Sequence, residues 1–126
     1  KLERVVVGGA DALSIFTVNG FNSLMILTDD LNTPFDDHRK GLNLGEAAAY
    51  IVLESENQVQ KNNKKVLAYL SGYGNANDAF HQTASSENGE GATLAMKKAF
   101  EISGLKLTDI DYINAHGTAT PQQRFI

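Results

Sequence analysis

Apolar residues along the chain fall into short runs and one clear periodic stretch. Val5, Val6 and Val7 form a continuous run closed by Gly8-Gly9, which predicts a short buried strand entering a turn. Between Asp11 and Asp30, Phe21, Leu24, Met25 and Leu27 keep roughly helical spacing and predict a short helix. Residues 32–40 (NTPFDDHRK) are polar around Pro34 and predict a loop. Residues 45–54 (GEAAAYIVLE) predict a buried strand, with a helix as the competitor because of the three alanines. Ser55 and Gln58 have the spacing of a capping box and predict a helix from Glu56 to about Asn62. Residues 66–73 (VLAYLSGY) predict another strand, and residues 74–88 a polar loop holding Asp78, His81 and Thr83. Ala92, Ala95, Met96, Ala99 and Phe100 recur at helical spacing until Gly104 stops them. Residues 110–114 predict a final strand and residues 115–121 a loop. This alternation predicts an α/β fold with a mixed β-sheet and packed helices.

Composition narrows the partners more than the fold. The 126 residues suffice for one small domain. A formal net charge of −4 argues against nonspecific nucleic-acid binding, which needs a cationic face to release counterions. Lys61, Lys64 and Lys65, the densest basic stretch, read as a solvated helix end before a strand. With no cysteine, neither a disulfide frame nor a cysteine-based metal site can form. The longest nearly uncharged apolar run, residues 46–53, is too short to span a bilayer. Lys1 to Arg4 leads into only three valines, which does not read as a secretory signal. The expectation is a cytoplasmic protein without membrane or nucleic-acid partners.

The chemistry concentrates in residues 114–121, Asn-Ala-His-Gly-Thr-Ala-Thr-Pro. His116 follows a predicted strand, and ligands in α/β folds gather at the carboxyl ends of strands. Gly117 permits close backbone approach, and Thr118 and Thr120 supply hydroxyls. His116 could donate a hydrogen bond to a developing oxyanion or enolate, or shuttle a proton. A lone loop histidine also does structural work, and spacing alone does not separate the two. Asp36, Asp37, His38 and Arg39 form either a metal or ion-pair cluster or a solvated turn, and the turn is the favoured reading. His81 reads as structural.

Residues 114–121 closely resemble the first histidine motif of the β-ketoacyl-acyl-carrier-protein synthases, NAHGTST-P. Other segments agree in order. Gly8-Gly9-Ala10-Asp11 resembles the family's GGAE or GGAD turn, and Asn19-Gly20-Phe21 its acyl-pocket glycine-phenylalanine. Residues 34–46 resemble PFD…R-G…GEGA, and Gly72-Tyr73-Gly74 with residues 78–81 resembles GYG…DAYH. Gly89-Glu90-Gly91-Ala92 resembles the glycine-rich start of the next helix. The resemblance covers the chain to about Pro121.

The resemblance implies a partial thiolase-like fold. Residues 1–62 would end its N-terminal half and residues 63–126 would begin its C-terminal half. It implies an acyltransferase that condenses a cysteine-bound acyl thioester with malonyl-acyl carrier protein, with loss of carbon dioxide. His116 matches one of two histidines that stabilise the enolate and thioester oxygen. Thr118 and Thr120 match hydroxyls that bond the phosphopantetheine arm, and Thr83 a residue near that arm's entrance. Phe21 matches a wall of the acyl pocket, and Asn114 a side chain near a structural monovalent cation in some members. No cofactor is implied, because the phosphopantetheine is carried by the acyl carrier protein. The implied partners are that carrier protein and a second copy in a homodimer. Phe21 also reads as an ordinary core aromatic, Thr83 as satisfying its own loop, and Asn114 as capping a strand end.

Three departures from the family matter. The nucleophilic cysteine, expected upstream of Gly8-Gly9, is absent. The second histidine motif and its lysine, expected downstream of the first, are absent too. The family's GEGAG is here Gly45-Glu46-Ala47-Ala48-Ala49. The expectation is therefore an internal fragment that is inactive alone and prone to associate through uncovered strand edges and apolar faces. The alternative is a cysteine-free assembly or binding partner of an intact ketosynthase. A carrier-protein binder using Thr83, Thr118 and Thr120 is a weaker reading, since carrier proteins are acidic and so is this chain.

Overall fold

The computed structural model describes residues 2–81 and 85–120. The chain forms two compact units that interleave in sequence, residues 1–25 with 44–69 and residues 26–43 with 70–126.

The first unit is built on two strands, β1 (Arg4–Asp11) and β2 (Ala47–Glu54), paired antiparallel from Arg4↔Glu54 to Asp11↔Ala47. β1 runs straight through Gly8 and Gly9, so the expected turn there is not made. Gly8, Gly9 and Ala10 pair with Tyr50, Ala49 and Ala48, and the alanines of β2 complete a ladder rather than a helix. The expectation that both strands are buried fails. Neighbouring Tyr50 and Ile51, which point to opposite faces, are 63% and 60% exposed. At one end of the ladder Glu54 accepts from Arg4 Nε at 2.5 Å and from Lys64 Nζ at 2.8 Å. Lys64 and then Arg4 hold this carboxyl below the ordinary carboxylate range.

Two short helices complete the unit. α1 (Ile15–Ser23) begins six residues before the predicted helix and ends earlier, with Met25 in the left-handed region. The cause is Ser14, whose side-chain oxygen accepts from Thr17 N at 3.1 Å and starts the helix there. α2 (Glu56–Lys61) agrees with expectation, capped by Ser55 accepting from Gln58 N. Only half of the capping box exists, since Ser55 N donates to Glu3 O instead.

The second unit holds α3 (Glu90–Ser103), bounded by Gly89 and Gly104 in left-handed conformations as its stop signal predicts. Residues 70–76 lie directly on this helix: a Cβ on Gly74 would sit 1.9 Å from Ala95 O, and one on Gly72 2.2 Å from Ala99 O. The GYG run is therefore glycine because backbone meets backbone, and Lys98 Nζ adds a bond to Asn75 O at 2.8 Å. A 3₁₀ turn, η1 (Leu107–Asp109), was not expected. The strands expected over residues 66–73 and 110–114 form no ladder with any described residue. Their apolar and aromatic composition favours strand, but a strand exists only when a second one accepts its hydrogen bonds. Tyr69, Tyr73 and Tyr112 on these stretches are exposed, as is Tyr50. The mixed sheet thus reduces, among described residues, to the antiparallel pair plus one isolated parallel bridge, Leu27↔Leu42. No helix among the described residues is long and apolar enough to cross a membrane.

Candidate functional site

The residues around His116 are shaped by a second loop of the same unit, residues 33–40. Asp36 N donates to Thr33 O at 3.3 Å, and the residue between Pro34 and Asp36, Phe35, takes a left-handed φ of 65°. Asp36 Oδ1 then accepts from His38 N at 2.6 Å, and Arg39 N donates to Asp36 O. The Asp-Asp-His-Arg run is thus a turn closed on its own backbone, as the favoured reading had it. No group of three His, Cys, Asp or Glu side chains that could hold a metal ion occurs among the described residues.

The turn presents two side chains to residues 117–120. Arg39 Nε donates to Thr120 O at 3.1 Å while its Nη1 donates to Asp36 O at 2.9 Å. The phenyl ring of Phe35 lies under Gly117, where an added Cβ would come within 3.1 Å of Cζ and 3.2 Å of Cε2. Gly117 has a φ of 53° and Ala119 of 63°, so the backbone coils tightly here. Ala119 is fully buried, the one buried apolar side chain among the described residues. The coil brings the hydroxyls of Thr118 and Thr120 to 3.1 Å, both half-buried. His116 stands exposed at the start of this coil.

The expected site residues therefore divide. His116, Thr118 and Thr120 lie together on one held loop. Phe21 lies on α1 of the other unit and is partly exposed. Thr83 is outside the described residues. Asn114 is exposed, with Tyr112 Oη 3.4 Å from its Oδ1. One exposed amide oxygen does not make the shell of several oxygens that a hard cation gathers, so the monovalent-cation reading gains nothing from this arrangement.

Three further residues carry the geometry without having been assigned this work. Arg39 and Phe35 hold the His116 loop, and the signal for them was the PFD…R run. Asp78 is the third. Its carboxylate accepts from Ser86 N at 2.6 Å and Gly91 N at 3.3 Å, bridging the polar stretch to the first turn of α3. The Ser86 amide and hydroxyl, and then the Gly91 amide, hold Asp78 below the ordinary carboxylate range.

The comparison with known families matches this region directly: the β-ketoacyl synthase C-terminal domain aligns with residues 67–124. The 3-oxoacyl-[acyl-carrier-protein] synthase 2 of Staphylococcus aureus is 36% identical over 125 residues, 94% of this chain and 31% of that protein. Residues 67–124 are thus similar to the C-terminal domain of the β-ketoacyl synthases. A 3-oxoacyl-[acyl-carrier-protein] synthase homolog of Saccharomyces cerevisiae is 38% identical over 122 residues, 94% of this chain and 28% of that protein. A ketosynthase solved in complex with its chain length factor, from Xenorhabdus doucetiae, superposes with a TM-score of 0.84 at 36% identity, over 96% of this chain and 28% of that one. The partial thiolase-like α/β class expected from the motifs holds. The chain spans less than a third of the length of the relatives it matches.

Proposed function

We propose that the chain is part of a 3-oxoacyl-acyl-carrier-protein synthase of fatty acid biosynthesis. The enzyme performs a decarboxylative Claisen condensation. The malonyl thioester loses its carboxylate as carbon dioxide, the resulting enolate carbon attacks an acyl thioester held on cysteine, and the thiolate leaves. His116 donates a hydrogen bond to the enolate and thioester oxygen, where a preorganised donor lowers the barrier. Thr118 and Thr120 bond the phosphopantetheine arm of the carrier protein, Thr83 stands near that arm's entrance, and Phe21 walls the acyl pocket. Residues 1–62 end the N-terminal half and residues 63–126 open the C-terminal half, a division supported by the family match beginning at residue 67. The partners are an acyl carrier protein and a second copy of the subunit, the compartment is the cytoplasm, and no resident cofactor takes part. Asn114 has no assigned chemistry in this reading.

The observation that carries the proposal is the coiled loop 116–120, which joins the family's histidine to two adjacent hydroxyls. The 126 residues contain no cysteine, so this chain by itself cannot form the acyl-enzyme. The test is the polypeptide that cells make from this coding region, assayed for decarboxylation of malonyl-carrier protein and for condensation. His116→Ala is expected to lower condensation by about 10²–10³-fold, the cost of one oxyanion donor. Full activity in that variant would sink the proposal.

A second reading is a cysteine-free subunit that assembles with an intact ketosynthase; it is supported by the similar Xenorhabdus doucetiae ketosynthase having been solved in complex with its chain length factor. An immunoblot of source cells separates the two. A band several times larger than 13.6 kDa supports the condensing enzyme, and a band at that mass supports the assembly partner.

A further inference from the structure

We infer that Arg39 is a positioning residue for the His116 loop, acting through the Thr120 carbonyl, with the Phe35 ring as the floor under Gly117. This rests on the condensing reading of the site given above.

A loop with two left-handed residues, Gly117 and Ala119, is not a shape the chain adopts by default. Ala119 pays the larger steric penalty because it has a Cβ. Something outside the loop must hold it, and the structure shows what does. Arg39 bridges two backbone carbonyls, Thr120 O at 3.1 Å through Nε and Asp36 O at 2.9 Å through Nη1. A planar guanidinium with fixed donor directions suits such a bridge, because setting one bond aims the other. Its base is itself fixed, since Asp36 O also accepts from Arg39 N and Asp36 Oδ1 holds His38 N. The Phe35 ring fills the space where a Cβ on Gly117 would stand. The loop is thus pinned at residue 117 by packing and at residue 120 by a hydrogen bond, and His116 leaves the pinned segment by one peptide bond.

The consequence is specific. Arg39 touches no reacting atom, so its loss leaves the histidine present but displaced. A displacement of about 1 Å in a catalytic group costs roughly 10²-fold in rate. In the full polypeptide that carries this chain, Arg39→Gln is expected to lower kcat for condensation about a hundredfold. KM for the carrier-protein substrate should stay within about twofold and Tm should change little. Arg39→Lys keeps one donor and is expected to recover about tenfold of that loss.

A second readout is independent of condensation. With histidine side chains labelled, the His116 ring resonances are expected to shift or broaden in Arg39→Gln and to return towards wild type in Arg39→Lys. Wild-type kcat in Arg39→Gln overturns the inference, as does a fall in kcat that follows a matching fall in Tm. If the wild-type enzyme does not condense, or if His116→Ala leaves condensation intact, the condensing reading has failed. The ring resonances then decide the Arg39 inference alone: a shift upholds it and unchanged resonances overturn it.

Discussion

The two-stranded sheet of the first unit and the His116 loop of the second invert the usual relation between regularity and burial. The sheet has eight residue pairs in unbroken register, yet Tyr50 and Ile51 on its two faces are both largely exposed. The loop has no ladder at all, yet it contains the fully buried Ala119. Register needs only two strands, each satisfying the other's backbone. Burial needs another layer against the side chains, and two strands alone are a marginal structure. The loop is held within its own unit, with Phe35 against Gly117 and Arg39 bonded to Thr120 O. The sheet finds no such layer in its own unit.

The sharpest way to test this contrast is to put a charge on the sheet. In the longer polypeptide proposed above, a further layer covers these faces, so Ile51→Asp should cost roughly 3 kcal/mol or more. In the 126-residue chain alone the same change should stay within about 0.5 kcal/mol, as for a surface position. Urea unfolding of both proteins reads the difference, and a small effect in both would show that the sheet is never covered.

Glycine substitutions compare the regions next. Gly117→Ala puts a Cβ on a left-handed residue and against Phe35, and should cost about 1–2 kcal/mol. Gly9→Ala meets open space in β1 and should be neutral or slightly stabilising. Thermal unfolding of the pair checks this, and equal costs would remove the distinction between a held loop and a bare strand.

A smaller effect is expected at the helix starts. Ser14→Ala removes the cap of α1 and should cost about 1 kcal/mol, measured by denaturant midpoint.

The smallest effect is a dependence on pH at Asp78. Its pKa is lowered in the folded chain, so its contribution is present above the ordinary carboxylate range and is lost as pH falls through the lowered value. The Ser86 and Gly91 amide resonances should titrate together in acid, below the usual aspartate midpoint. Asp78→Asn should abolish that titration, and independent behaviour of the two amides would show that the carboxylate does not bridge them.

How much of this was legible in the sequence follows the same line. α3 could be read almost to the residue, because its apolar period and both glycine boundaries are local signals. β2 and the cap of α2 were legible for the same reason. α1 was misplaced because the spacing of Phe21, Leu24, Met25 and Leu27 mimics a helix, while the decisive signal was the Ser14 cap upstream. The strands over residues 66–73 and 110–114 were read from composition, which records what a segment suits and not whether a partner is present. At the site, His116, Thr118 and Thr120 stood out as a run of neighbours in sequence. The PFD…R run marked Arg39 but not what it holds, because its partner Thr120 is 81 residues away and a carbonyl acceptor leaves no mark on residue type.

The exposed tyrosines give the chain an optical property. It has four tyrosines and no tryptophan, and Tyr50, Tyr69, Tyr73 and Tyr112 all stand open to solvent. Its near-ultraviolet spectrum is therefore a tyrosine spectrum of hydrated phenols. Whatever protein layer closes over the sheet or the ladderless stretches must dehydrate some of those rings. Red-shifted absorption and new near-ultraviolet dichroism would report that closure without any added label, so the chain carries its own gauge of whether it is standing alone.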